Sequence, residues 1–205
     1  MSADFNTKNI EISQTANLPS RFGGFKIRIY KEPLKDGFKE HAAIFSPDLS
    51  ARIQNGENIN VRIHSECLTG DALGSLKCDC GEQLSFALSY IAKNGGLVIY
   101  LRQEGRNIGL FNKINAYNLQ DKGANTIEAN HQLGFEADER SYEMADFILN
   151  DFGIKNINLI TNNPDKLSAL KAVQIISRVP IKMTPNKYDA SYLQVKKEQM
   201  GHLLD

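Results

Sequence analysis

The architecture of the chain follows from one stretch, Ile59-Asn60-Val61-Arg62-Ile63-His64-Ser65-Glu66-Cys67. Its apolar side chains at 59, 61 and 63 alternate with polar ones, and this period of two is typical of a half-buried β-strand. Glu66 and Cys67 follow at once. The sequence therefore predicts a strand whose end carries a carboxylate and a thiol.

Further strands and helices are predicted on both sides of this stretch. Alternation at Phe25, Ile27 and Ile29 predicts one strand, and short apolar runs predict strands at 41–45, 97–101 and 156–161. Apolar residues at helical spacing, with capping and stop residues, predict helices over 82–93, 107–122 and 141–152, and one that begins near Asp165 after Asn163-Pro164. Because strands and helices do not alternate strictly, we expect an α+β fold, a mixed α/β sheet with flanking helices.

The chain is predicted to form a single domain over residues 1–205. It has no fixed-period repeat, no low-complexity segment and no Pro/Gly/Ser-rich linker, and 41% of its residues are hydrophobic. We expect residues 1–17 and roughly 186–205 to be flexible tails.

Charge and cysteine usage exclude several classes of function. The 24 basic and 24 acidic side chains cancel, so no global field attracts nucleic acid or an anionic membrane, and we expect neither as a partner. The polar N-terminus and the short apolar runs predict a cytoplasmic protein without a membrane span. Three cysteines, two of them only one residue apart, suit reduced metal-binding thiols better than disulfides.

All three cysteines fall in one segment, as Cys67, Cys78 and Cys80. The one-residue gap lets Cys78 and Cys80 point to the same side if the backbone between them is extended. Zinc accepts thiolates in tetrahedral geometry, and three protein ligands would leave the fourth position for the water of a catalytic site. Two alternatives stay open: a closed structural site with His64 or another residue as fourth ligand, or cysteines that are merely buried. Glu66 beside Cys67 favours catalysis, because it would place a carboxylate near that water.

Two charged segments suit a phosphate ligand. Arg102 and Arg106 flank a loop in which Gly105 allows close backbone approach and Glu104 could help to hold magnesium. The alternative is a solvated turn whose charges pair with one another. Asp138 and Arg140, just before a helix, either face a phosphoryl group or serve as cap and surface charge.

Taken together, these motifs resemble the GTP cyclohydrolase II family, from about Leu18 to the tail at 200–204. The resemblance is carried by these segments: Arg62 through Leu76, Cys78-Asp79-Cys80-Gly81, Arg102 through Leu110, Glu128 through Phe135, and Thr161-Asn162-Asn163-Pro164 with Lys166. Several long motifs in the family's order make the resemblance specific. The chain has no dihydroxybutanone-phosphate synthase domain ahead of them, so we expect the single-function form.

The resemblance implies zinc-dependent hydrolysis of GTP to 2,5-diamino-6-(5-phosphoribosylamino)pyrimidin-4(3H)-one, formate and pyrophosphate, the first step of riboflavin biosynthesis. It also implies a homodimer, magnesium on the GTP phosphates, and one zinc per subunit on Cys67, Cys78 and Cys80. The implied GTP contacts are Arg62, Ile63, His64, Ser65, Glu66, Gln83, Glu104, Gly105, Arg106, Thr126, Thr161 and Lys166.

The implied catalytic residues are Tyr117, Asp138 and Arg140, with Glu66 at the metal. Family resemblance makes Arg140 a nucleophile on the α-phosphorus with Asp138 as base, but a guanidinium is always charged, so electrostatic stabilisation is an equal role for it. Tyr117 would act in the ring chemistry; its alternative is a helix aromatic packed in the core. Two other functions stay open: a hydrolase that stops at the formamidopyrimidine nucleotide, and a non-catalytic zinc- or nucleotide-binding module.

Overall fold

The strand predicted around Ile63 lies inside a mixed sheet. The computed structural model describes residues 7–136, 138–183, 188, 201 and 203, with only the backbone described at 8 and 126. The strands of this described part are β1 Glu11–Ile12, β2 Ala16–Ser20, β3 Gly23–Leu34, β4 Gly37–Phe45, β5 Ile59–Ser65, β6 Leu97–Leu101, β7 Asn156–Ile160 and β8 Gln174–Val179.

The sheet has an antiparallel half and a parallel half. Its strand order is β1-β3-β4-β6-β5-β7-β8, and β2 also pairs with β3. The pairs β3–β4 and β4–β6 are antiparallel, whereas β6, β5, β7 and β8 run parallel to one another. This arrangement confirms the predicted α+β fold with a mixed sheet and flanking helices.

The helices lie between these strands and cover both faces of the sheet. They are α1 Leu49–Gln54, α2 Leu68–Asp71, α3 Cys80–Asn94, α4 Gly109–Asp121, α5 Thr126–Gln132, α6 Glu143–Asp151 and α7 Pro164–Ala169. Short 3-10 turns occur at Thr7–Asn9 and Glu104–Asn107.

Three predicted helix starts were wrong by two residues, and α3 begins at Cys80 and not at 82. Helix α4 begins at Gly109 and not at 107, because Arg106 and Asn107 adopt left-handed backbone angles that a right-handed helix excludes. Helix α6 begins at Glu143 with Tyr142 as N-cap, and Ser141 accepts the Glu143 N–H from outside the helix.

The core occupies both faces of β5. On one face Val61 and Ile63 pack with Ile148 and Leu149 of α6, and each is fully buried. On the other face, Arg62 and His64 are also buried. The prediction of a half-buried strand was therefore wrong, because a central strand with parallel neighbours is covered on both sides.

The predicted tails are described only in part. Residues 11–12 and 16–20 pair with β3, through Glu11 with Lys31 and Ala16 with Ile27, so this part of the N-terminal segment is an edge of the sheet. Of residues 186–205, only 188, 201 and 203 lie among the described residues. The single domain and the flexibility of the tails stay predictions.

The parallel half of the sheet positions the candidate site. Because β5, β6 and β7 run in the same direction, their carboxyl ends meet at one edge, where α/β proteins bind ligands. Glu66 and Cys67 follow β5, the loop 102–107 follows β6, and Thr161 follows β7. Within the described residues, no helix has the length and apolarity to cross a bilayer.

Candidate functional site

A cavity of about 870 Å³ opens at this edge of the sheet. Its volume lies in the range of pockets that hold small-molecule ligands. Most of the residues predicted for the site line it, namely Arg62, His64, Ser65, Glu66, Cys67, Cys78, Cys80, Gln83, Glu104, Gly105, Arg106, Tyr117, Arg140, Thr161 and Lys166. Residues separated by a hundred positions in sequence thus share one cavity.

The three cysteine sulfurs converge in this cavity. The Sγ atoms of Cys67, Cys78 and Cys80 all lie within 4.8 Å of one another, and those of Cys67 and Cys78 are 3.6 Å apart. The sequence argument required an extended backbone between Cys78 and Cys80, and the structure does not have one there. Asp79 has φ −93° and ψ 12°, and Cys80 is the first residue of α3, so a tight turn brings the two thiols together.

Two glycines allow the sulfurs to come this close. A Cβ atom on Gly70 would lie 2.9 Å from Cys78 Sγ and 3.2 Å from Cys67 Sγ. A Cβ on Gly81 would lie 2.3 Å from the carbonyl oxygen of Gly70. Helices α2 and α3 therefore contact each other backbone to backbone beneath the thiols. Three soft donors in such a cradle fit a tetrahedral zinc ion with three protein ligands.

Among the described residues, the group of ligand atoms that lie within 4.8 Å of one another consists of the three cysteine sulfurs and does not include His64. Its Nε2 lies 3.1 Å from Oδ1 of Asp71 and its ring stacks on Tyr100. The Asp71 carboxylate also accepts the Tyr100 hydroxyl at 2.8 Å and the Cys67 backbone N–H at 3.0 Å. Burial, the main cause, lowers the pKa of His64. His64 therefore helps to hold the Asp71 side chain that orients Cys67.

Lys113 is a cavity residue that sequence reasoning missed. Its Nζ donates to Oε1 of Glu104 at 2.7 Å and to Sγ of Cys67 at 3.1 Å. Burial alone would lower the pKa of Lys113, but the Glu104 hydrogen bond and the charge of Cys67 raise it. Lys113 and Tyr117 are four residues apart on α4, and this helical spacing is the signal that could have revealed the lysine.

The pKa values of Cys67 and Cys78 are shifted in opposite directions. Hydrogen bonds from Cys78 and Cys80 hold the pKa of Cys67 well below its usual value, and Lys113 adds to the effect. The pKa of Cys78 is raised to about 11, chiefly by its hydrogen bond to Cys67. The Lys113 ammonium, 3.1 Å from Sγ of Cys67, favours the thiolate form of Cys67, which is the form that binds a metal.

The Glu104 carboxylate is engaged by the protein on both oxygens. Besides Lys113, Oε1 accepts the Gly105 N–H at 2.9 Å, and Oε2 accepts the Leu68 N–H at 2.6 Å. This geometry argues against the sequence-based interpretation of Glu104 as a magnesium ligand. Its oxygens instead tie the loop after β6 to the start of α2.

Tyr117 faces the cavity and is not packed in the core, so that alternative was wrong. Its hydroxyl lies 3.3 Å from Oγ1 of Thr69, and the ammonium groups of Lys77 and Lys113 lie 5.1 Å and 5.6 Å from its ring centroid. Burial raises the pKa of Tyr117 to about 12, and Thr69 and Lys113 oppose the shift. The phenol is therefore protonated at neutral pH and can donate a proton.

Arg62 and Lys166 supply buried positive charge to the floor of the cavity. Arg62 donates to the Ile160 carbonyl at 3.1 Å and to Oε1 of Gln83 at 2.6 Å, while its Nε is buried without a partner in the described structure. Burial lowers its pKa to about 10, so it stays charged at neutral pH. Lys166 donates to the Ile63 carbonyl at 2.9 Å. Ile63 thus reaches the site through its backbone, since its side chain lies in the core.

Asp138 and Arg140 form an ion pair at the cavity wall. Nε of Arg140 donates to both carboxylate oxygens, at 2.8 Å and 3.0 Å, and Arg140 lines the cavity. Although burial raises the pKa of Asp138, the hydrogen bond and charge of Arg140 lower it overall. Between the two residues, the Glu139 N–H donates to the carbonyl of Arg106. The segment is therefore fixed to the loop after β6. Neither residue caps the helix, because α6 begins at Glu143 with Tyr142 as its N-cap.

The two arginines of the loop after β6 lie in different environments. Arg106 lines the cavity, whereas exposed Arg102 donates to Oε2 of Glu66 at 2.8 Å. The alternative of paired charges therefore holds for Arg102. Glu66, which lines the cavity, is held from outside by this bond.

The loop after β7 is organised as the sequence predicted. Asn163 is the N-cap of α7 and accepts the Asp165 N–H at 2.8 Å, with Pro164 in the first turn. Oγ1 of Thr161 accepts the Asn163 N–H at 3.0 Å. Thr126 begins α5, but its side chain lies outside the described part of the chain.

Comparison with known proteins places this geometry in a family. The family model described as GTP cyclohydrolase II matches residues 11–180. A GTP cyclohydrolase-2 of Campylobacter fetus is 65% identical over 94% of this chain and 95% of its own, and one of Campylobacter hominis is 63% identical over 96% and 97%. One of Helicobacter pylori is 53% identical over 96% of this chain and all of its own.

Among solved structures, a two-domain 3,4-dihydroxy-2-butanone 4-phosphate synthase of A. baumannii aligns over 85% of this chain. The alignment covers 41% of that protein, with a TM-score of 0.45 and 16% identity, and a likeness this weak carries no weight for function. The family match and the relatives instead cover nearly the whole chain, and they include the thiol trio and the cavity-lining loops. The chain therefore belongs to the GTP cyclohydrolase II family.

Proposed function

We propose that the protein hydrolyses GTP to 2,5-diamino-6-(5-phosphoribosylamino)pyrimidin-4(3H)-one, formate and pyrophosphate, the first step of riboflavin biosynthesis. The proposal rests on one observation: a thiol trio suited to zinc and a set of buried and half-buried cations line the same cavity. Hydrolysis at a purine ring carbon needs an activated water, and hydrolysis at the α-phosphorus needs positive charge around the phosphates.

At the ring end of the cavity, we propose that Cys67, Cys78 and Cys80 hold zinc. The bound ion would supply the Lewis acidity that makes a water nucleophilic toward C8 of guanine. Glu66, fixed by Arg102, is proposed to accept the proton of that water. The Tyr117 hydroxyl is proposed to donate a proton to the ring nitrogen that leaves as the imidazole opens.

At the phosphate end, Arg106 and Arg140 are proposed to bind the triphosphate of GTP, with Lys166 as a buried cation behind them. The hydrogen bonds between Arg140 and Asp138 keep the guanidinium charged and fix its orientation. A charged, oriented guanidinium favours electrostatic stabilisation of the α-phosphoryl transition state over nucleophilic attack by a neutral arginine. Asp138 would orient Arg140 and serve as base for the attacking water. Magnesium is proposed to enter with the GTP phosphates.

The remaining predicted GTP contacts are assigned to different parts of the cavity. Gln83 is held between Arg62 and Asp79, with Nε2 donating to Oδ2 of Asp79 at 2.5 Å, and this fixed amide is suited to recognise the guanine edge. His64, Ser65, Gly105 and Thr161 are proposed to contact GTP from the strand ends. Thr126 and Ile63 keep the roles implied by the family, Ile63 through its backbone.

We further propose a homodimer. Leu110, Phe111 and Ile114 on α4 are exposed, Phe111 to 80%, and fall on one side of the helix. Exposed apolar residues at this spacing suit a second copy of the same helix. Reduced thiols as metal ligands also suit the cytoplasm, which is the compartment we propose.

An end-point assay with zinc- and magnesium-loaded protein tests the proposed reaction. Formate, pyrophosphate and the pyrimidine product should appear in equal amounts from GTP. A product that retains the formyl carbon would support the hydrolase that stops at the formamidopyrimidine nucleotide. GTP binding without any of the three products would support the non-catalytic module.

A further inference from the structure

The ammonium of Lys113 lies between the thiol trio and the loop after β6. It is 9% exposed, and its two polar partners are Sγ of Cys67 at 3.1 Å and Oε1 of Glu104 at 2.7 Å. The ring centroid of Tyr117 lies 5.6 Å away, within cation–π distance. One charged group therefore touches a metal ligand, a buried carboxylate and the proposed proton donor.

Contacts at the ammonium and along the stem hold the Lys113 side chain in place. Glu104 cannot swing away, because the backbone N–H groups of Leu68 and Gly105 donate to its two oxygens. The lysine stem packs against Gly105, where an added Cβ would lie 3.0 Å from Cβ of Lys113. A buried ion pair with this many constraints orients the ammonium, which is the condition for a directed hydrogen bond to sulfur.

The charge balance of the site explains why a cation is needed there. Three thiolates around a divalent ion leave one excess negative charge, and Lys113 places one positive charge on the Cys67 sulfur. A hydrogen bond to a metal-bound thiolate withdraws electron density from sulfur and orients it, as partners of metal ligands generally do.

We propose that Lys113 is a positioning residue of the metal centre, which orients the Cys67 thiolate and tempers its donation to the ion. This inference rests on the metal site of the proposed function, and it assigns a role to a residue outside the ligand and substrate sets. Because one of its two directed hydrogen bonds goes to the Cys67 sulfur, we assign the effect of Lys113 on the metal centre to that contact.

Cobalt substitution tests the inference without using activity. The protein is loaded with Co²⁺, and the thiolate-to-cobalt charge-transfer band is recorded for the wild type, K113M, K113R and K77M. Loss of an N–H···S hydrogen bond raises the energy of the sulfur lone pairs, so the band of K113M should move to longer wavelength. K113R keeps a donor and should stay near the wild-type position.

K77M is the matched control. Lys77 also lines the cavity and faces the Tyr117 ring, but its ammonium pairs with the exposed carboxylate of Asp121. Its replacement removes the same charge without touching Cys67, so the band should not move. Lys113→Gln, which keeps a neutral N–H donor, covers the case in which K113M does not fold and should give a smaller shift in the same direction.

Kinetics add a second readout. K113M should lower kcat about 10- to 100-fold, the usual loss for a partner of a metal ligand, with an unchanged KM for GTP. A wild-type band in both K113M and Lys113→Gln would overturn the inference, as would a raised KM with an unmoved band, which identifies a substrate contact. Wild-type protein that takes up no cobalt would instead overturn the metal site of the proposed function, and the inference with it.

Discussion

Arg140 holds the carboxylate of Asp138 by both oxygens, with Nε at 2.8 Å and 3.0 Å, and the Glu139 N–H between them is bonded to the carbonyl of Arg106. The pair is therefore formed before any substrate arrives. Preformed charge costs no reorganisation when the reaction occurs, which is the condition for electrostatic stabilisation of a transition state.

Replacing Asp138 by asparagine should make stability less dependent on pH. Because the pKa of Asp138 is lowered in the fold, the ion pair stabilises the protein above the unfolded-state pKa of about 4, and this contribution is lost as the pH falls through the lower folded-state pKa. Urea unfolding should show D138N less stable than the wild type by roughly 1 kcal/mol at pH 7. The gap should close toward pH 3, whereas Asp36→Asn in an exposed turn should leave the profile unchanged. A constant gap across this range would contradict the assignment.

Gly70→Ala should empty the metal site while the sheet stays folded. The new methyl group would lie 2.9 Å from Cys78 Sγ and 3.2 Å from Cys67 Sγ, so the thiols must separate. We expect zinc content, measured by atomic absorption, to fall well below one ion per chain, with a loss of about 1–3 kcal/mol in stability. Gly24→Ala is the control, because a Cβ there meets nothing within 4 Å. Full zinc occupancy in G70A would argue against the trio as the metal site.

Cys78→Ser should abolish formate release. A serine hydroxyl replaces one of the three thiolates and is a poor zinc ligand at neutral pH. Pyrophosphate release is proposed to depend on Arg106 and Arg140 and not on the thiols, so measuring the two products separately tells whether the two hydrolytic steps are separable. Formate release by C78S at the wild-type rate would show that Cys78 does not hold the metal.

Tyr117→Phe should slow ring opening by about 100-fold or more, the usual contribution of a positioned acid. The ring stays against Lys77 and Lys113, and only the hydroxyl near Thr69 is lost. Because the pKa of Tyr117 is raised to about 12, the wild-type rate should show no tyrosine ionisation between pH 6 and about 10. Tyr90→Phe, away from the cavity lining, serves as control. Equal formate release by Y117F and the wild type would remove Tyr117 from the chemistry.

Phe111→Lys should weaken the proposed dimer. The side chain is 80% exposed on α4 beside Leu110 and Ile114, and a buried unpaired ammonium at an interface is costly. Sedimentation velocity at several concentrations should show a dimer for the wild type and a shift toward monomer for F111K. Ile176→Lys on β8, the same change at another exposed apolar residue, should leave the dimer intact. A dimer of equal strength in F111K would exclude this face.

Local signals in the sequence account for most of the strands and helices. Alternation at Ile59, Val61 and Ile63 gives β5, and Asn163-Pro164 gives the capped start of α7, because each depends only on residues within one element. The errors occur where distant segments act. The left-handed turn at Arg106 and Asn107 delays α4, and burial of both faces of β5 comes from helices far away in sequence.

For the candidate site too, sequence motifs predicted some features and only the folded structure revealed others. Motifs named the cysteines, Arg106, Arg140 and Tyr117, since their residue types and order are visible in the chain itself. Motifs did not reveal Lys113 as the partner of Cys67, or that Glu104 is engaged on both oxygens, because these bonds join residues 46 and 36 positions apart. Only the folded chain shows which partners such groups have.

By itself, the sequence determined the family, the element types and the supply of thiols and arginines, because these depend on local order along the chain. The tertiary structure decided how they combine. The parallel course of β5, β6 and β7 brings three loops to one edge, and the absence of a side chain at Gly70 lets three sulfurs meet. Distances between remote residues depend on packing, and packing is a property of the whole fold.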